Sequence, residues 1–254
     1  MSDDGATMDG KSPVMEPLGT APRRAPGLLV RLYRAEAEAW RKHYRRYFKY
    51  AARALGLGFV IGVLYFLIRP QQEKKALDFV IRSLKDISVG GTPIALALTL
   101  FYHNARASAV AVVAGWVPFL FLPILDPLLN GGVIGLLVSV SKHQGLDVPR
   151  LILTKILPHG VFELTAVLYA TSLGLYLSET TGKKALAAWR RKRSLRRGEA
   201  PQGLQVPDFL ETYPERSASR DESPAVNVLR SFVLVVLPLL LVAAFVEGFI
   251  TPAL

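Results

Sequence analysis

His159 and Glu163 stand one helical turn apart inside the apolar stretch Leu151 to Ser178, with Lys155 one turn ahead of them. At i, i+4 and i+8 the three side chains lie along one face of a helix. An imidazole beside a carboxylate can relay protons, hydrogen-bond across a helix interface or bind a cation. Ionisable groups are costly in hydrocarbon and usually turn toward protein or water, so this face belongs in a polar interior. His-x-x-x-Glu by itself supplies two metal ligands or one acid–base pair, and no matched nucleophile accompanies it, so neither a metal site nor an enzyme is expected. His43, His103 and His143 are dispersed, and the chain has no cysteine, which removes thiolate ligands, disulfides and a cysteine nucleophile. No cofactor-binding motif is present.

Further polar residues fall at matching depth. Asn104 and His159 each lie about ten residues from the outer ends of their helices, and Glu247 a few residues from the end of the last, at about 1.5 Å of rise per residue. The expected result is an intramembrane polar cluster of Asn104, His159, Glu163 and Glu247, with Arg106 as counter-ion. It requires His159 to come within reach of Asn104 or Glu247. Asn130-Gly131 predicts a turn in which glycine accepts positive φ, and Pro158 and Gly160 predict a helix kink that admits a close neighbour.

Hydropathy defines the elements that must carry these residues. Of 254 residues 51% are hydrophobic, the mean hydropathy is +0.30, and the apolar residues gather into long runs. This pattern predicts an all-α polytopic membrane bundle of about five crossings. The net charge of +11 could suggest nucleic acid. The cations flank the apolar runs, however, where they act as a topology signal, so the lipid bilayer is the expected partner and nucleic acid is not.

In chain order, residues 1–27 predict a disordered cytoplasmic tail and residues 28–51 a basic amphipathic cytoplasmic helix. Residues 52–180 form the first part of the membrane domain, with an outer amphipathic helix at 71–87. Residues 181–227 predict a basic, flexible cytoplasmic loop, and residues 228–254 the final span. This places the N-terminus in the cytoplasm and the C-terminus outside the cell membrane. Gly58 and Gly62 have the small-xxx-small spacing that admits a close helix, a second copy of the chain included. Pro118, Pro123 and Pro127, followed by Gly131 and Gly132, are expected to interrupt helix between Trp116 and Val133. The segment 118–141 is then either a broken span or a re-entrant hairpin.

Asn104, Asn130-Gly131 with Gly135, Pro158-His159-Gly160 with Glu163, and Glu247 to Thr251-Pro252 occur in that order, and with them the chain resembles the stage II sporulation protein M family over roughly residues 30–254. The resemblance implies a bacterial or archaeal integral membrane protein. In spore formers, the family's namesake is associated with the engulfment machinery and with two extracytoplasmic cell-wall partners, stage II sporulation proteins D and P. The function this implies is a scaffold that assembles or anchors peptidoglycan-remodelling partners. The alternative is a transporter or channel that titrates His159 and Glu163.

Overall fold

The computed structural model describes residues 27–84, 92–197 and 223–250, except the side chain of Lys155. The expected tail at 1–26, the second half of the expected loop at 198–222, the end of the outer helix at 85–87 and Thr251-Pro252 lie outside the described residues. Every described element is helical, and five runs are long and apolar enough to cross a membrane: Leu28–Ile68, Pro93–Ala114, Leu122–His143, Leu157–Arg196 and Pro224–Ile250. Pro93–Ala114, at 22 residues, is about 33 Å long, enough for a hydrocarbon core of about 30 Å. Large apolar side chains stay exposed around the rim, among them Leu57, Ile61, Leu64, Tyr102, Val110, Leu129 and Leu241. A bundle solvated by lipid has no reason to hide them.

The first run is a single helix where two were expected. Helix α1 (Leu28–Ala39) passes through a π-turn at Trp40–Tyr44 into α2 (Arg45–Ile68). No proline or glycine lies between Leu28 and Ala54, so nothing breaks the backbone between the basic part and the span. Pro70 ends it: the residue before a proline is driven out of the α region, and Arg69 has φ −123° and ψ 62°. Helix α3 (Glu73–Leu84) is the amphipathic helix expected at 71–87. Helix α4 (Pro93–Ala114) opens on a capping threonine, with Ala95 N–H donating to Thr92 Oγ1 at 3.2 Å.

Between α4 and the next span the backbone is interrupted at Gly115–Phe121, where Phe119 and Phe121 take φ of 68° and 46°. From there the expected discontinuity ends. A 3₁₀ turn at Leu122–Ile124 leads into α5 (Leu125–His143), one helix that carries Asn130 and Gly131 in its interior. The segment is therefore a whole span preceded by a break, with no re-entrant half-helix at 133–140. Pro123 precedes α5 and Pro127 falls in its first turn, where a missing N–H leaves no hydrogen bond unmade.

Gly131 consequently sits in no turn, and positive φ is not its purpose. A methyl group placed on it would stand 2.1 Å from the Leu55 carbonyl oxygen. Likewise a methyl on Gly58 would meet the Leu128 carbonyl at 2.0 Å, one on Gly62 the Gly132 carbonyl at 2.6 Å, and one on Gly135 the Val63 nitrogen at 2.6 Å. Contacts that advance together along both chains mean that α2 and α5 run parallel, backbone against backbone. The Gly58/Gly62 face is thus filled by α5, which leaves no room there for a second copy of the chain.

Pro149 opens α6 (Val148–Leu151), capped by Asp147, whose Oδ1 accepts from Arg150 N–H at 3.1 Å. A π-turn at Ile152–Ile156 joins it to α7 (Leu157–Arg196). Pro158 has no N–H for the Thr154 carbonyl, and the helix adjusts by widening just ahead of it, with Leu157 N–H bonded to Ile152 O. The same device recurs in the last run, where a π-turn at Phe232–Val236 between α8 (Pro224–Ser231) and α9 (Leu237–Phe245) precedes Pro238. Gly160 departs from expectation: a methyl there would meet nothing nearer than Ile156 Cγ2 at 3.7 Å, so no neighbour approaches closely.

Helix α7 is the axis of the bundle, with an almost continuous buried stretch from Ala166 to Ser178. Tyr44, Val112, Val236 and Leu240 close around its Leu173 and Leu177. Past the core it continues as helix through Thr181–Arg196, which corrects the flexible loop expected there.

Candidate functional site

Where α7 begins and the last run ends, three side chains converge. His159 and Glu163 lie one turn apart on α7, and Glu247 comes from a π-turn at Val246–Ile250 that continues α9. One donor atom from each can be chosen so that all lie within 4.8 Å of one another. His159 Nε2 is 3.9 Å from Glu247 Oε2, beyond hydrogen-bond length. Gly248 makes this approach possible, since a methyl on it would stand 2.9 Å from both the Pro93 carbonyl oxygen and Ala97 Cβ. The end of the last run is therefore pressed onto the start of α4 as well as onto α7.

His159 does come within reach of Glu247, as the cluster required, but the expected set divides. Asn104 is half-buried on α4 and makes no hydrogen bond to the trio among the described residues. Arg106 is exposed, and among the described residues it pairs with no carboxylate, so the counter-ion role expected of it is not realised. It lines instead a groove of about 490 Å³ between α4 and α5, together with His103, Leu125, Asp126 and Leu129.

Asp126 is the residue that the sequence reading passed over. Its Oδ1 accepts from Asn130 Nδ2 at 3.1 Å, its Oδ2 is buried without a partner, and it lies in electrostatic range of Glu163. Asn130 also donates to the Asp126 backbone carbonyl at 3.0 Å, so it braces the first turn of α5 rather than forming a loop. The i, i+4 spacing of Asp126 and Asn130 was the available signal.

Several other carboxylates inside the bundle have partners, although the buried hydroxyls of Ser108 and Thr171 have none among the described residues. Glu36, 4% exposed, accepts from Tyr169 Oη at 2.6 Å and from Ser231 Oγ at 2.8 Å, beneath a Trp40 ring stacked on Tyr169 at 5.2 Å. Glu179 pairs with Arg46 at 2.7 Å and Lys183 at 2.8 Å and accepts from Tyr47. Glu73 accepts from Ser139 Oγ at 2.6 Å and contacts His143 Nδ1 at 2.9 Å, which ties α3 to the end of α5. By contrast, no hydrogen bond to the His159, Glu163 or Glu247 side chain is present among the described residues, and His159 Nδ1 is buried with no partner. Three converging side chains of this kind can coordinate a cation; with Glu247 the two-ligand count of the His159/Glu163 pair becomes three.

Compared with protein-family models, residues 51–252 match the one described as Stage II sporulation protein M. The chain belongs to the stage II sporulation protein M family. It is, accordingly, an all-helical, multi-pass membrane protein of a family named for sporulation. Among curated proteins and among solved structures no significant match is found. The family match takes in α2 and the whole trio, while α1 with Glu36 lies ahead of it, packed onto Tyr169 and Ser231 inside the matched region.

Proposed function

We propose that this member of the stage II sporulation protein M family is a non-catalytic membrane scaffold that anchors extracytoplasmic, peptidoglycan-remodelling partners. The observation that supports the reading is α3. Glu73 holds its first turn to Ser139 and His143 of α5, while Phe79 and Ile81 remain 71% and 46% exposed. An amphipathic helix fixed at one end and presenting large apolar groups suits the capture of a partner at the membrane surface. The seam beneath it, backbone on backbone between α2 and α5, suits a rigid support better than a moving gate.

The orientation proposed is N-terminus in, C-terminus out, because the stretch from Arg41 to Arg53, across the π-turn and the start of α2, and the end of α7 carry the dense Arg and Lys and belong in the cytoplasm. The transport reading draws on a different observation, the groove that brings Arg106 and Asp126 to one surface. Purification from the native host in mild detergent, with mass spectrometry of what accompanies the protein, separates the two. A scaffold is recovered with cell-wall hydrolases, and the Phe79→Ser, Ile81→Ser double variant loses them while remaining a folded membrane protein. Recovery of the wild type without wall enzymes, together with ion flux in liposomes that Asp126→Asn abolishes, would establish the transporter instead.

A further inference from the structure

We infer that His159, Glu163 and Glu247 form a binding site for a divalent transition-metal ion of the zinc type. The inference does not depend on the scaffold reading. Imidazole nitrogen and carboxylate oxygen are both zinc donors, and three protein ligands with a further position for water is the form of an open zinc site. With bonds of about 2.0–2.2 Å at tetrahedral angles, donor atoms on one ion lie about 3.4 Å apart. The observed set lies within 4.8 Å, so side-chain rotations that move the donor atoms by about an ångström close it.

Placement supports the same conclusion. A His and a Glu at i and i+4 project from one helix face, the spacing by which helices supply paired zinc ligands. The third ligand arrives from a separate helix, positioned by the contact of Gly248 with Pro93 and Ala97. Both ligand-bearing elements contain a π-turn, at Ile152–Ile156 and at Val246–Ile250, and such turns re-aim side chains at functional sites.

Charge complementarity points the same way: two carboxylates converge with an imidazole inside an apolar bundle, and among the described residues no Lys or Arg pairs with Glu163 or Glu247. One dication bound by two carboxylates and a neutral imidazole brings the net charge to zero. The imidazole ligand also selects against magnesium and calcium, which prefer oxygen alone. Glu247, with 32% of its side chain exposed against 17% for His159, leaves the site open to water.

The test uses the full chain without a histidine tag, purified in detergent, freed of metal by a chelator, and then offered Zn²⁺, Co²⁺ or Mg²⁺. About one equivalent of Zn²⁺ per chain should be retained, Co²⁺ should give the visible absorption of a site of low coordination number, and Mg²⁺ should not be retained. Metal removal should lower the midpoint of thermal unfolding by roughly 5 °C, restored by Zn²⁺. Glu247→Gln and His159→Gln, near in size to the native residues and checked for a monodisperse, helical fold, should lose retention and the thermal response together. Failure of the wild type to retain Zn²⁺ or Co²⁺, retention unaltered in both variants, or equal retention of Mg²⁺ would each overturn the assignment.

Discussion

At the scale of single residues, what distinguishes this bundle is which polar groups have partners and which glycines have neighbours. Gly131 and Gly160 look alike in sequence and differ in consequence. Gly131→Ala drives a methyl onto the Leu55 carbonyl, which as backbone cannot step aside. A destabilisation of about 2 kcal/mol or more is expected, read as a lowered unfolding midpoint in detergent. Gly160→Ala meets only an ordinary contact with the Ile156 side chain and should stay within about 1 kcal/mol of wild type, on the favourable side if helix propensity decides. Glu36→Ala would strand the buried Tyr169 hydroxyl, while Ser231 keeps the Asn227 carbonyl, at a cost of about 1–3 kcal/mol, whereas Glu36→Gln keeps an acceptor for both and should lose less. Equal unfolding midpoints for the two Glu36 variants would count against the hydrogen-bond account.

Among the elements, proline, glycine and one ion pair set how helices meet. Pro158 and Pro238 each widen the turn before them without ending the helix, because a π-turn redirects the carbonyl that a proline cannot serve. Helix α3 depends on a smaller device, the Glu73 carboxylate shared by Ser139 and His143. Glu73→Ala should release its first turn, so that hydrogen exchange rises across residues 73–84 while the centre of α7 is unchanged. Unaltered exchange in α3 would mean that its apolar face alone holds it, through the groove that Ala76, Phe79 and Val80 line with Gly58, Gly62 and Leu136.

For the molecule as a whole, the measurable property is topology. With no native cysteine, single cysteines report it without background. Cysteine at Lys75, exposed in α3, should react with a membrane-impermeant maleimide on intact cells. Cysteine at Lys184, exposed at the start of the basic end of α7, should on the proposed orientation react only after the membrane is opened. The reverse pattern would invert the orientation and move α3 to the cytoplasm, removing the basis for wall partners.

Local pattern was enough to read the five apolar runs, the family, and the common face of His159 and Glu163, because hydropathy and the helical period act over a few residues. What depended on tertiary structure was which partnerships between helices form: Glu247 but not Asn104 joining that face, Arg106 facing a groove with Asp126, Gly58 and Gly62 filled by α5, and Glu36 bonded to Tyr169 and Ser231. The length of a span constrains the depth of a residue but not its direction. Each residue turns the helix by about 100°, so the partner a side chain meets depends on the rotation and axial register of two packed helices. In this chain those were settled by the close approach of glycine backbones, at Gly131 against Leu55 and Gly248 against Pro93, between residues far apart in sequence.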